Sequence, residues 1–229
     1  MFKSLKFTYL LMFACALSLA TRAQLTIKGR ILNQADTKPV ANASVFLSNA
    51  SVGNKTADNG TFLLGDVKSG KYELVISIVG FDTYKQVVTV ENSNIVLPDI
   101  LIFPKTFALK AVTIKPKTDP NREYYYEIFK KEFLGESDLA KECKILNPEV
   151  LDFEYDDVKK VLTASSVDFL VIENHGVGYK LRYLLTNFTK NNSDEYQQSL
   201  HYEGSSFFEN LEGTASQKRA WDRRRQEAY

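Results

Sequence analysis

Between Leu25 and Phe103 apolar and polar residues alternate in short runs broken by turn clusters, and no other feature of the chain narrows its fold as much. Successive side chains of a strand point to opposite faces, so a period of two marks strands with one buried and one wet face. Such runs are Leu25 to Ile31, Ala43 to Leu47, Lys55 to Leu64 around an internal turn, Lys71 to Val79 and Phe81 to Val90. Asp58-Asn59-Gly60 supplies the left-handed backbone positions of a tight hairpin turn. Gly80 reads as a break at which the chain changes sheets. The last run, Ile95 to Phe103, contains Pro98, which cannot donate to a ladder and places the segment at a sheet edge. Roughly seven short strands in so little chain predict a β-sandwich.

The pieces Ile27-Lys28-Gly29-Arg30-Ile31, Lys38-Pro39-Val40-Ala41-Asn42-Ala43-Ser44-Val45, Thr56-Ala57-Asp58-Asn59-Gly60-Thr61-Phe62, Gly70-Lys71-Tyr72 and Ser77-Ile78-Val79-Gly80-Phe81 follow one another in that order. In this order they resemble the carboxypeptidase-regulatory-like domain, a transthyretin-like sandwich widespread in Gram-negative envelope proteins, over about residues 25 to 103. The resemblance implies a mainly β protein. A seven-stranded antiparallel sandwich of the transthyretin (prealbumin-like) kind comes first, and a smaller α+β region with antiparallel strands and a C-terminal helix follows. Pro39 and Gly60 would fix turns, and Phe62 and Tyr72 would fill the core. The architecture is shared with starch- and glycan-binding domains, which makes a carbohydrate-binding module the alternative function, with Tyr72, Phe81 and Tyr84 as the candidate ligand contacts.

The family's name raises peptidase activity, and the residues speak against it. A zinc carboxypeptidase needs His and Glu in one short motif, a distant second His and an open coordination position. The chain has two His, in Glu173-Asn174-His175-Gly176 and Leu200-His201-Tyr202-Glu203, and neither has those neighbours. Gly-x-Ser-x-Gly does not occur, and Lys55 and Ala57 spoil a calcium loop around Asp58. The expectation is a non-enzyme with no catalytic residue, no metal and no cofactor. An enzymatic reading would have to use Asp152, Glu154, Asp156 and Asp157, which cluster on a strand and its turn.

At the N-terminus Lys3 and Lys6 precede an apolar run from Phe7 to Leu19 and the small-residue exit Ala20-Thr21-Arg22-Ala23. This is the pattern of a secretory signal peptide over residues 1 to 23, with cleavage after Ala23. The run is shorter than the roughly 20 apolar residues of a spanning helix. Lipid attachment at Cys15 is the weaker alternative, because Met12-Phe13-Ala14 fits a lipobox poorly. The expected location is the periplasm or the outer membrane. Taking Lys3, Lys6 and Arg22 from the 29 Lys and Arg leaves fewer bases than the 28 Asp and Glu, a balance that excludes a nucleic-acid partner. Of the 2 Cys only Cys143 would remain, so no internal disulfide can form.

A sandwich over residues 24 to 104 is followed by a strand, Phe107 to Lys117, and a linker, together residues 105 to 121. Residues 122 to 229 form the α+β region, to which no function attaches from sequence. Arg122 to Leu134 predicts a helix with Tyr125, Ile128, Phe129 and Phe133 on one face and Gly135 as its stop. The Tyr124-Tyr125-Tyr126 stripe reads as packing surface before it reads as a sugar platform. Strands are predicted at Val150 to Tyr155, Val161 to Ala164, Val167 to Ile172 and Tyr179 to Leu185, with turns at Asp156-Asp157 and Asn174-His175-Gly176. Thr214 to Tyr229 predicts a helix carrying Lys218, Arg219, Arg223, Arg224 and Arg225. Its basic cluster offers peripheral membrane contact, against the simpler reading of a solvated helix with Trp221 packed inward. The stop at Tyr229, with no polar tail or cap, reads as a truncated chain. The leading functional expectation is a binding or scaffold protein whose partner is an envelope protein or a glycan, held by sandwich loops or by strand addition at a sheet edge.

Overall fold

The computed structural model describes residues 25–105, 119–191 and 198–227, so the leader and most of the linker lie outside the described residues. The first unit is the predicted sandwich. Its strands are β1 (Leu25–Asn33), β2 (Ser44–Leu47), β3 (Gly53–Lys55), β4 (Thr61–Val67), β5 (Gly70–Ser77), β6 (Tyr84–Val90), β7 (Ile95–Val96) and β8 (Ile100–Ile102). One sheet has the order β4-β1-β7, with β8 also on β1; the other has the order β3-β2-β5-β6. Alternate residues Ile27 and Ile31 of β1, Phe62 and Leu64 of β4, and Leu74 and Ile76 of β5 meet between the sheets in one buried cluster. Burying each such side chain contributes about 1.5–3 kcal/mol, which makes this core the main support of the sandwich.

Three local expectations change. The segment Ile95 to Phe103 splits at Leu97-Pro98 into β7 and β8, because proline cannot carry the ladder across. Both pieces pair with β1 in parallel, so eight short strands stand where about seven were expected and the sandwich is not wholly antiparallel. Asp58 to Gly60 is a tight turn, closed by Gly60 N–H to the Ala57 carbonyl at 2.8 Å, with Gly60 at φ 76°. It joins β3 and β4 of different sheets rather than the arms of a hairpin. Gly80, at φ 88°, lies between β5 and β6, which pair antiparallel within one sheet, so the chain does not change sheets there.

The second unit is a six-stranded antiparallel sheet of order β10-β11-β13-β12-β9, with β14 on the other side of β13. These strands are β9 (Cys143–Ile145), β10 (Leu151–Asp156), β11 (Val161–Ser166), β12 (Leu170–Asn174), β13 (Tyr179–Asn191) and β14 (Ser199–Asn210). Expected to be the smaller unit, it holds the longest strands, of 13 and 12 residues. Helix α1 (Arg122–Leu134) has the predicted bounds and is closed by Gly135, at φ 81°, whose N–H donates to the Lys131 carbonyl. Tyr125 and Phe129 lie on its buried face, where Phe129 meets Phe133, Phe153 and Phe188 at centroid distances of 5.0–6.0 Å. Leu185 and Phe188 both enter this core although they differ in parity. The register shift between Leu185 and Asn187 makes that possible by flipping the alternation of β13. A short helix α2 (Asp138–Lys141) and the C-terminal helix α3 (Ala215–Glu227) complete the unit.

The two units touch. Asn49 N–H donates to the Ser206 carbonyl at 2.9 Å and Phe208 N–H to the Ala50 carbonyl at 3.0 Å, so the turn after β2 caps part of the outer edge of β14. Ser206 Oγ also donates to Asn49 Oδ1 at 2.6 Å. Beside this bridge Phe46 meets Phe169 and Phe207 at 5.4 and 6.0 Å between centroids. Phe46 and its register partner Val75 point out of the sandwich yet are 3% and 0% exposed. Val45-Phe46-Leu47 and Leu74-Val75-Ile76 are buried without alternation for this reason.

Candidate binding surfaces

Strand β10 ends its sheet and pairs only with β11, which leaves one of its edges without a strand. A groove of about 970 Å³ runs along it, lined by the continuous stretch Glu149 to Tyr155, by Asp119 to Arg122 at the start of α1, and by Tyr125. Residues of both parities reach the groove, as expected where a strand presents its edge. The floor is apolar and held firmly. Tyr125 and Tyr155 stack at 5.5 Å between centroids, and the Arg122 guanidinium lies 5.3 Å over the Phe153 ring while donating to the Pro148 carbonyl at 2.9 Å.

The rim is acidic. Glu149, Asp152 and Asp157 form no ion pair with a described residue. Burial, followed by the charges of Asp119 and Asp157, pushes the Tyr125 hydroxyl above its ordinary range. Asp156 is otherwise occupied: it accepts from the backbone N–H of Val158 and Lys159 and is held below the usual carboxylate range chiefly by the Lys159 N–H. The acids named from sequence are thus divided, with Asp152, Glu154 and Asp157 lining the groove and Asp156 tying the turn. Asp152, Glu154 and Asp157 are all exposed. General acid catalysis near neutral pH needs a carboxyl shielded from water, and this rim does not shield them. Among the described residues no group of His, Cys, Asp and Glu is arranged to hold a metal.

Tyr72 and Tyr84 lie on the core side of the β3-β2-β5-β6 sheet and Phe81 in the turn between β5 and β6, all three partly buried against the sandwich core. Tyr72 Oη donates to the Lys68 carbonyl at 3.1 Å and Tyr84 Oη to Gln86 Oε1 at 3.1 Å, and Phe81 bridges to Pro104. His175 sits 3.2 Å from Glu173 in the turn after β12, and exposed His201 lies opposite Thr189 on β14.

Part of the basic C-terminal cluster is spent inside the molecule. Trp221 Nε1 donates to the His175 carbonyl at 2.8 Å, Arg224 Nη1 to Gly176 at 3.0 Å, and Arg225 to Val177 and Gly178 at 2.7 and 3.0 Å. Spacing of i, i+3 and i+4 puts these side chains on one face of α3, so they read consecutive carbonyls of the turn between β12 and β13. Arg225 also lies 3.8 Å over the Tyr179 ring. Sequence patterning missed β14, whose Ser199 to Glu203 half is exposed, with only Leu200 and Tyr202 alternating before Gly204-Ser205-Ser206 interrupts the pattern.

Against known proteins, the model of the CarboxypepD_reg-like domain matches residues 27–114, reaching past the expected boundary at 104. No curated protein matches the chain. A type II cohesin–X-dockerin complex from Acetivibrio cellulolyticus is 22% identical, with 35% of this chain and 58% of that one covered and a TM-score of 0.32. This chain therefore spans little more than half of that structure's length. A DUF3823 family protein from Bacteroides ovatus is 14% identical over 84% of this chain and 83% of that one, with a TM-score of 0.28. A streptococcal ancillary pilin is 10% identical over 84% and 52%, with a TM-score of 0.31. Likenesses this distant say nothing of what this chain binds. The match to the CarboxypepD_reg-like domain falls on the unit in which two sheets close on one apolar core, with Gly60 in a tight turn and Pro39 in a bridge to Leu32 rather than in the turn expected of it.

Proposed function

We propose that this is an exported, non-catalytic envelope protein that holds a protein partner, with the sandwich bracing the α+β unit and the free edge of β10 receiving an extended segment of that partner. The unpaired edge of β10 along a groove of about 970 Å³ carries the proposal. Strand addition satisfies the backbone groups of both chains, and the side chains beside the edge select which strand is accepted. Asp152 and Asp157 repel acidic strands and favour one bearing Lys or Arg. Export rests on the Lys3, Lys6 and Phe7 to Leu19 pattern. Tyr72, Phe81 and Tyr84 turn toward the core, which leaves the glycan alternative without an outward aromatic platform from these residues.

The test is fluorescence anisotropy with the full chain and a short labelled peptide alternating Lys with Val. The double substitution Asp152→Lys, Asp157→Lys is expected to weaken its binding about tenfold, equivalent to about 1.4 kcal/mol, and to leave the melting temperature unchanged because both residues are exposed. Binding that is indifferent to this reversal would refute the β10 groove as the site.

A further inference from the structure

We infer that the outward face of the β4-β1-β7 sheet is a second docking surface, for an extended segment of a partner protein that carries Asp or Glu around apolar residues. The face is built by register. Lys28 of β1 stands between Leu63 of β4 and Val96 of β7, and Arg30 stands opposite Thr61. Leu63 is 52% and Val96 67% exposed, so two open apolar side chains flank Lys28 across the sheet. Together with Lys55 from β3 these residues line a groove of about 610 Å³ whose one acidic lining residue is Asp99.

Two observations say what covers this face. The first is charge. Lys28, Arg30 and Lys55 form no ion pair with a described residue, and Arg30 is tied only through its Nε to the Asn59 carbonyl at 3.2 Å. Unpaired cations interleaved with open apolar side chains complement a segment in which Asp or Glu alternates with apolar residues. The second is the other face of the same sandwich. There the outward apolar residues Phe46 and Val75 are buried, and Phe169 and Phe207 of the α+β unit close over Phe46. The sandwich thus already uses one outward apolar patch to hold a neighbour. The patch at Leu63 and Val96 likewise sets apolar side chains beside cations, as Lys55 and Arg182 stand beside Phe46, but it is left open.

This surface is separate from the β10 groove and takes the opposite charge, so the two can fail independently. The experiment uses the full chain and a short labelled peptide alternating Glu with Val, beside the Lys and Val peptide as control. Saturable binding of the Glu peptide is expected, weakened about tenfold by Lys28→Glu with Lys55→Glu and by a similar factor by Leu63→Ser, with the Lys peptide unaffected by these changes. Raising salt should weaken the Glu peptide, since the contacts are exposed. Absence of binding, or binding that ignores both variants, overturns the inference. So does a photo-crosslinker placed at Val96 that joins the chain's own residues 106–118 or a second copy.

Discussion

Replacing Trp221 by alanine is expected to cost about 3–5 kcal/mol of unfolding free energy, in the range for deleting a large buried aromatic. The indole is 7% exposed and lies in a slot made by two glycines. A Cβ at Gly178 would overlap the indole, and one at Gly213 would stand 2.6 Å from it. Gly178 also has φ 68°, so backbone conformation and close approach both require glycine there. Alanine at 221 empties the slot, leaves the His175 carbonyl without its donor and frees α3 to swing Arg224 and Arg225 off their carbonyls. Urea unfolding followed by circular dichroism measures the effect, because Trp221 is the only tryptophan and its fluorescence would vanish with the substitution. A loss below about 1 kcal/mol would show that α3 is an ornament on the sheet rather than part of its support. The companion Arg225→Lys keeps the charge and discards the planar fork that spans Val177 and Gly178, so it should also destabilise, by about 1–3 kcal/mol.

Phe46→Ala is expected to have the second large effect, about 3 kcal/mol or more, and of a different kind. Phe46 lies outside the sandwich core, so its removal leaves that core intact and opens the contact with Phe169 and Phe207. Calorimetry should then show the two units melting in separate transitions where the parent shows one, since their coupling rests on this ring cluster and on the bridge at Asn49 and Ala50. A single transition in the variant would assign the coupling to the bridge alone. The proposed function depends on this result, because a groove on the α+β unit is braced by the sandwich only while the contact holds.

Much of the architecture was legible in the residues. Period two between Leu25 and Val90 encodes which side chains enter the sandwich core, and the Tyr125, Phe129 and Phe133 spacing encodes the buried face of α1, because both are local periodicities imposed by backbone geometry. The leader and the strand expected at Phe107 to Lys117 fall outside the described residues. The acids at 152, 154 and 157 were visible as a cluster, but their place beside a free edge was not, since edge and interior strands differ only in how many neighbours they have. The aromatic trio Tyr72, Phe81 and Tyr84 was singled out by residue type, and parity, applied strictly, already turns Tyr72 and Tyr84 inward with Leu74 and Val88. The basic cluster at the C-terminus has one composition whether it meets a membrane or a turn; only the carbonyls of His175 to Gly178, far away in sequence, separate the two for Arg224 and Arg225.

What the sequence by itself determined is most of the sandwich strands, the helix α1 and the faces these bury, together with the likeness of the first unit to a known domain, because these follow from dihedral preferences and the spacing of apolar residues along one strand or helix. Tertiary structure alone decided that Phe46 and Val75 are covered from outside, that the edge of β10 and the side chains of Leu63 and Val96 are left open, and that Arg224 and Arg225 are committed internally. Each of these depends on which distant segment arrives at a given surface, and pairing across long sequence separations leaves no periodic trace in the local pattern.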